Sequence, residues 1–390
     1  MPLDPDALEA ALDECGVDAL VIDADGDDPD QFYLTDFDAP DPFIALFDGA
    51  VILLFDRGLE LARARRESRA SAVHTVESVA GEDADRGTAL ATVCDQREIT
   101  SVAVGPRFPV ATADALRTAG IDLTVGVDPI ADQRAIKGPD EREAIERAQR
   151  VTERAIEAGV ATIREADIDA SGRLVRDGDV LTSERVRSAI HRTLVRAGCT
   201  PTDTIVAGGA DAGDPHERGS GPLRAGEPIV IDVFPRDDAS HYHADTTRTV
   251  VSGEASDRIA EWHRIVDEAR RAAIDAIEPG VSGESVHDAA SAVVESAGIP
   301  TLRTDPETET GFTHSTGHGV GLAVHEAPRL GTDAGTLDAG QVVTVEPGIY
   351  DPSVGGVRVE DLVVVTENGC RNLTRLPTAL AVDRFADQKH

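Results

Sequence analysis

The chain has 390 residues, 41% of them hydrophobic, and carries 72 acidic against 37 basic side chains for a formal net charge of −35. Its length points to two domains and its apolar content to globular folding rather than disorder. So large a negative charge argues against nucleic acid or an anionic membrane as a partner, because phosphate contacts need positive surface, and no apolar run approaches a membrane span.

Lysine is nearly absent: only Lys137 and Lys389 occur, and every other basic side chain is arginine. The acidic residues are spread along the whole chain rather than gathered in a tail. That distribution reads as a surface adapted to very high intracellular salt, where self-repulsion is screened. The acidic N-terminus lacks the basic-then-apolar pattern of a secretory signal, so a cytoplasmic location is expected. Cys15, Cys94, Cys199 and Cys370 are scattered with no CxxC pair. They read as free thiols in a reducing compartment and not as a zinc finger.

Apolar spacing at Leu8, Leu12 and Cys15 predicts a helix over 6–15, and a short buried strand follows at 19–22. Residues 43–48 and 50–55, split by Asp48-Gly49, predict a hairpin. Helices are expected over 57–70, 87–97 and 111–119, with a strand at 102–104. These elements describe a small mixed α/β domain over 1–128, without a GxGxxG or Walker loop. Pro129, Gly138 and Pro139 mark 129–139 as a linker, leaving 140–390 as the larger domain. A long charged helix is expected over 140–158, started by Pro139-Asp140. A second runs over 182–197, capped by Thr182 or Ser183 and stopped by Gly198. Strands follow at 228–234 and 246–251, helices at 256–277 and 282–297, and closing strands at 341–346, 357–360 and 362–366. Helices before strands, twice over, suggest a duplicated α/β half.

Four carboxylates stand in or beside apolar strand-like stretches. Asp232 interrupts Ile229-Val230-Ile231 and Val233-Phe234, and Asp245 opens the next strand. Glu346 ends Val342-Val343-Thr344-Val345, just before Pro347-Gly348. Glu360 follows Arg358 by two, so strand alternation puts both on one face and Asp361 on the other. A single such residue is most simply a strand-end carboxylate in solvent or in an ion pair. Four converging would repel and raise one another's pKa, which divalent cations relieve. Oxygen-rich ligation with one imidazole suits manganese, iron or cobalt, with zinc possible. His318 lies in the glycine-rich stretch 313–321, where the backbone can come close to a site, and His325-Glu326 follows. His216 and His314 join this histidine-rich set, and His241 and His243 are expected to be solvated loop residues. His191, His263, His287 and His390 read as inert surface histidines.

Ile231-Asp232, Tyr242-His243-Ala244-Asp245-Thr246-Thr247-Arg248, Gly317-His318-Gly319-Val320-Gly321 through His325-Glu326, Val345-Glu346-Pro347-Gly348 and Arg358-Val359-Glu360-Asp361 occur in one order. That series resembles the pita-bread metallopeptidases, and most of all their Xaa-Pro dipeptidase (prolidase) and Xaa-Pro aminopeptidase branch. The likeness runs from about residue 128 to near the end and extends weakly to Gln31-Phe32-Tyr33-Leu34-Thr35. It implies a creatinase-like N-terminal α/β domain and a pita-bread catalytic domain of two pseudo-twofold halves. It further implies two divalent metal ions, manganese before cobalt, iron or zinc. Asp232 would chelate one, Asp245 and Glu360 would bridge both, and His318 and Glu346 would hold the other. A bridging hydroxide would attack the scissile carbonyl, with Glu346 shuttling the proton and His325 steadying the oxyanion. His216 and His314 would line the substrate site, and Arg358 would hold the carboxylates. The implied partners are a small peptide substrate and a second copy in a homodimer.

One departure stands out. Phe234-Pro235 follow where the family pattern has a glycine, and the Asp232–Asp245 spacer is two residues longer than that pattern. An even insertion confined to the turn leaves both carboxylates on one face, so the expected change is in the pocket wall near 235–241. Three other readings remain: a methionine aminopeptidase, which shares the ligands but usually lacks a domain such as 1–128; a metal-dependent lyase on the same scaffold; and a non-enzymatic binding module without the metal set.

Overall fold

The computed structural model describes residues 3–126 and 128–385, and these fall into two compact units, Met1–Arg134 and Ala135–His390. In the first unit, helices α1 (Pro5–Cys15) and α2 (Pro29–Thr35) both begin at proline behind an aspartate cap. The Asp4 and Asp28 carboxylates accept from first-turn backbone N–H groups that have no partner within the helix. The strands are β1 (Ala19–Ala24), β2 (Phe43–Phe47), β3 (Val51–Phe55), β4 (Ala72–Thr75), β5 (Ser101–Val104) and β6 (Asp122–Val125), in the order β4-β3-β2-β1-β5-β6. The expected hairpin is present as the antiparallel β2–β3 pair, both strands buried throughout. Helix α3 (Leu61–Glu67) is half the predicted length, and its N-terminal Glu60 makes no side-chain cap bond. Helices α4 (Val76–Ala80), α5 (Arg86–Gln96) and α6 (Val110–Thr118) complete the layer around a core that includes Val21, Leu46, Leu54, Leu90 and Leu116. The stretch expected as a linker carries a further helix, α7 (Pro129–Ala135).

In the second unit, helix α8 (Pro139–Arg164) runs six residues past its predicted end at 158. Gly159, just past that predicted end, is the point where α8 meets helix α9 (Ser183–Arg196). A Cβ there would lie 3.0 Å from the Ile190 side chain, so glycine permits the close approach. Between the two helices lies a meander of β7 (Asp167–Ile168), β8 (Leu174–Arg176) and β9 (Asp179–Val180). The short strands β10 (Cys199–Thr200) and β13 (Arg236–Asp237) pair with each other. Strands β11 (Ile205–Gly208), β12 (Ile229–Val233) and β14 (Thr246–Val250) form an antiparallel sheet. The helix pair repeats as α10 (Asp257–Asp275) and α11 (Gly283–Ser296), each capped by a serine, Ser256 and Ser282. A five-stranded sheet then joins β16 (Glu326–Leu330), β15 (Gly317–Gly319), β17 (Val342–Val345), β20 (Asp361–Thr366) and β21 (Gly369–Asn372) in that order, beside the hairpin β18 (Gly348–Asp351)–β19 (Gly355–Arg358). Each helix pair backs its own core, one around Ile156, Ile190 and Ile231, the other around Val266, Val345 and Val357.

The strand predicted over 357–360 stops at Arg358. There the chain leaves one sheet for another, and Glu360 donates its N–H to the Thr247 carbonyl at 3.1 Å. Behind this crossing, Asp361 accepts from Arg248 Nη2 at 2.9 Å, from Arg270 Nη1 and from Asn372 Nδ2. Arg248 also donates to the carbonyls of Glu360, Leu376 and Pro377. Asp361→Leu leaves two buried guanidinium groups without their shared carboxylate and should destabilise the second unit by about 3–5 kcal/mol. Urea unfolding at fixed molar salt measures this.

Candidate metal centre

The centre is assembled from strand faces. Asp232 and Thr247 are directly opposed on β12 and β14, and Asp245 lies two residues before Thr247 on the same face. Asp232, Asp245 and Glu360 are 8%, 4% and 1% exposed. Thr247 Oγ1 donates to Glu360 Oε2 at 2.8 Å and accepts from Arg358 Nε at 3.1 Å. Arg358 Nη2 donates to Asp232 Oδ2 at 2.7 Å. Arg358 and Glu360 therefore share a face, as their spacing predicts, while Asp361 turns to the arginines behind.

His318 enters from β15. Its Nδ1 lies 3.1 Å from its neighbour's carbonyl, Gly319 O, and bonding there as donor leaves Nε2 to face the acids. Nε2 lies 3.3 Å from Glu346 Oε1 and 3.8 Å from Asp245 Oδ2. The Thr344 hydroxyl accepts the His318 N–H at 3.1 Å and donates to Glu346 Oε1 at 3.3 Å. One ligand atom each from Asp245, His318 and Glu360 lie within 4.8 Å of one another.

Electrostatically the site is costly without a cation. Burial pushes the Asp245 carboxyl well up, and the charges of Glu360, Asp232 and Glu346 push it further. Burial also raises Glu360 well above its usual range, again with Glu346 and Asp232 adding to the shift. Glu346 goes the other way: burial alone would raise it, but the hydrogen bond and charge of His318 outweigh that and hold it at about 2. Asp232 Oδ1, Asp245 Oδ1 and Glu360 Oε1 are all buried with no hydrogen-bond partner. Three orphaned carboxylate oxygens, in a cluster that the His318 imidazole joins, fit divalent cations.

Residues 143–367 match the metallopeptidase family M24. The chain belongs to that family. It is 34% identical over 252 residues to the Xaa-Pro dipeptidase of Pyrococcus furiosus, a match spanning 64% of this chain and 65% of that protein's length. The solved prolidase of Pyrococcus horikoshii superposes with a TM-score of 0.81 at 27% identity, covering 96% of this chain and 98% of that one. An X-Pro aminopeptidase from Thermotoga maritima gives a TM-score of 0.78 at 27% identity, over 95% and 99%. The fold is thus the α/β pita-bread arrangement expected from the motifs.

Around the candidate metal centre of this M24 chain stand the other expected site residues. Arg358 Nη1 donates to the Tyr350 hydroxyl at 3.0 Å, and that hydroxyl lies 3.1 Å from His314 Nε2. His314 Nδ1 lies 2.7 Å from the Ser315 carbonyl, and burial pulls its pKa down to about 4, so the ring is neutral and Nε2 accepts from the tyrosine. His216 is exposed on a loop that Arg358 pins through Pro215 O. His325 is exposed, its ring centroid 4.3 Å from that of His318.

Two histidine expectations need correction. His243 is buried rather than solvated, and burial draws its pKa down to about 4. His287 is also buried: its Nδ1 lies 2.9 Å from Thr316 Oγ1, because its helix turns that face into the core. His191 and His263 are half-buried, and His390 lies outside the described residues. The structure adds Thr247, Thr344 and Tyr350 to the candidate site. Thr247 lies inside a motif and Thr344 and Tyr350 flank one, but all three make their contacts by hydrogen bonding, which composition does not announce. Gly317 shows how tightly the centre is packed, since a Cβ there would lie 2.0 Å from Thr344 O. Gly317→Ala should cost about 1–3 kcal/mol through forced displacement of β17, whereas Gly335→Ala, in open space, should be close to neutral; paired thermal melts test the contrast.

Proposed function

We propose that the protein is a dinuclear-metal exopeptidase that hydrolyses the bond between an N-terminal residue and a following proline, as a dipeptidase or aminopeptidase. The observation carrying this reading is the set of orphaned carboxylate oxygens facing His318 in a chain whose relatives bear Xaa-Pro names. Asp232 would hold one ion, Asp245 and Glu360 both, and His318 and Glu346 the other, with manganese the expected metal. Bound divalent ions supply Lewis acidity toward the scissile carbonyl and lower the pKa of water.

The side chains do the rest. Glu346, charged because His318 holds its pKa down, accepts and returns the proton. His325, exposed beside His318, donates toward the carbonyl oxygen as charge develops there. Neutral His314, oriented by Tyr350, and His216 line the substrate. Arg358 keeps Asp232 in place through a charge-assisted bond. Expected assembly as a homodimer rests on the family resemblance, and a cytosolic setting on the four free thiols. A mass measurement in solution tests the first.

Cleavage of Xaa-Pro dipeptides and longer Xaa-Pro peptides, with manganese added, should exceed cleavage of Met-Ala peptides. The reverse order favours a methionine aminopeptidase, and metal binding without peptide cleavage favours a lyase. In parallel, Glu360→Ala should lose close to two metals per chain and essentially all turnover. His318→Ala should keep more metal yet stay nearly inactive. His325→Ala should keep both and lose about 10²–10³ in rate. Metal content by mass spectrometry beside turnover reads all three; a Glu360→Ala protein with two ions and normal turnover would falsify the dinuclear assignment.

We also propose a salt requirement. At −35, self-repulsion reaches about 30 Å at 0.01 M salt but only about 3 Å at 1 M. Dialysis into dilute buffer should abolish activity and lower the melting temperature, and molar KCl should protect both. An unchanged melting temperature in dilute buffer contradicts this.

A further inference from the structure

Lys137 is the one lysine among the described residues, and its side chain is 0% exposed. Its Nζ donates to Glu326, whose side chain is 8% exposed, and more weakly to the Ala135 carbonyl at 3.4 Å. The Lys137 backbone is fixed on both sides: its N–H donates to Gly340 O at 3.0 Å, and its carbonyl accepts from Arg142 Nη1 at 2.9 Å. The ammonium is therefore a rigidly mounted charge.

Its partner stands at the end of the loop 319–326. Glu326 pairs with Gly319 where the β15–β16 register shifts, so the intervening residues bulge out as a closed loop. The Glu326 carboxylate lies within that loop. Its Oε2 accepts from Ala323 N at 3.3 Å, and a Cβ on Gly321 would lie 2.2 Å from Oε1. Gly321 N donates to Ala323 O at 3.0 Å, and Gly321 O accepts from His243 N at 2.8 Å. His325 is the residue next to Glu326. Its ring is exposed, so the backbone path of the loop sets where it stands against His318.

A buried ion pair is poor value as a stabilising device, since apolar replacement is often neutral or better. We propose that Lys137 is a positioning residue for catalysis: through the buried carboxylate of Glu326 it fixes the 319–326 loop and so the placement of His325 beside the metal centre. This rests on the oxyanion role given to His325 above. Arginine serves at every other described basic position, but a guanidinium is planar and larger, whereas a compact ammonium suits a closed space facing one carboxylate.

The test uses the manganese-loaded protein in molar KCl and compares Lys137→Met, Lys137→Met/Glu326→Gln, His325→Asn and the triple variant. Lys137→Met alone leaves the buried Glu326 carboxylate without its ammonium and should lose stability. The double variant removes both charges and should recover most of the melting temperature with full metal content, yet keep kcat lowered about 10–100-fold with KM little changed. Amide exchange within 319–326, followed without added metal, should be faster in the double variant than in the parent. The triple variant should be no slower than His325→Asn, because both lesions act through one imidazole. Parental kcat in the double variant, or losses that multiply in the triple, overturns the proposal. Parental kcat in His325→Asn would instead show that the role assigned to His325 itself is wrong.

Discussion

Mutual repulsion among four carboxylates in one buried space is the constraint on which the second unit is organised. Asp232, Asp245 and Glu360 are nearly inaccessible, and each keeps one oxygen without a hydrogen-bond partner. Arg358 offsets part of that charge directly, and Thr247 links it to Glu360 without adding another. The remaining charge drives these carboxyls toward protonation unless cations offset it. A second ionic layer lies immediately behind, where Arg248 and Arg270 share Asp361. Arg248 also donates to the Glu360 carbonyl, so the backbone that presents the ligand is held by a charge outside the site.

This layering follows from period-two alternation at a point where the chain changes sheets. Arg358 closes one strand and Asp361 opens the next, pairing with Val345. Glu360, at the crossing, is free of either ladder and can face the centre. Glycines make the opposite wall possible. A Cβ at Gly317 or Gly319 would lie within about 2 Å of facing carbonyls, a distance no side-chain carbon tolerates. Close backbone approach is what lets His318 and Glu346 reach the same space from adjacent strands.

The connection after Asp232 leaves the carboxylate-bearing face of β12 and β14 in register. Asp232 still faces Thr247, and Val233 faces Thr246. Within the connection, Arg236 and Asp237 pair with β10, and Arg236 is also bridged to His243. Tyr242 reaches Glu141 at 2.6 Å, so the segment is tied to helix α8 rather than left as a free turn. His243 is buried by the same folding, which explains why a loop histidine is neutral and enclosed.

Element types and their order were legible from residues alone wherever apolar periodicity or a cap was strong, as in the Asp48-Gly49 hairpin, the Thr182 cap and the helix pairs. Four candidate carboxylates stand out too, because a charge in or beside an apolar strand is costly to bury unpaired, while their roles beside His318 come from the family resemblance. What only the tertiary structure decided was pairing between distant segments. The helix expected to end at 158 continues through Gly159, where it packs against Ile190. Tyr350 hydrogen-bonds both Arg358 and His314, a link that no local signal marks. Lys137 is only a compositional oddity until the fold brings it to Glu326, 189 positions away. Local signals are set by neighbours within a few residues, whereas the partners of a buried charge are chosen by which strands and loops the fold sets side by side.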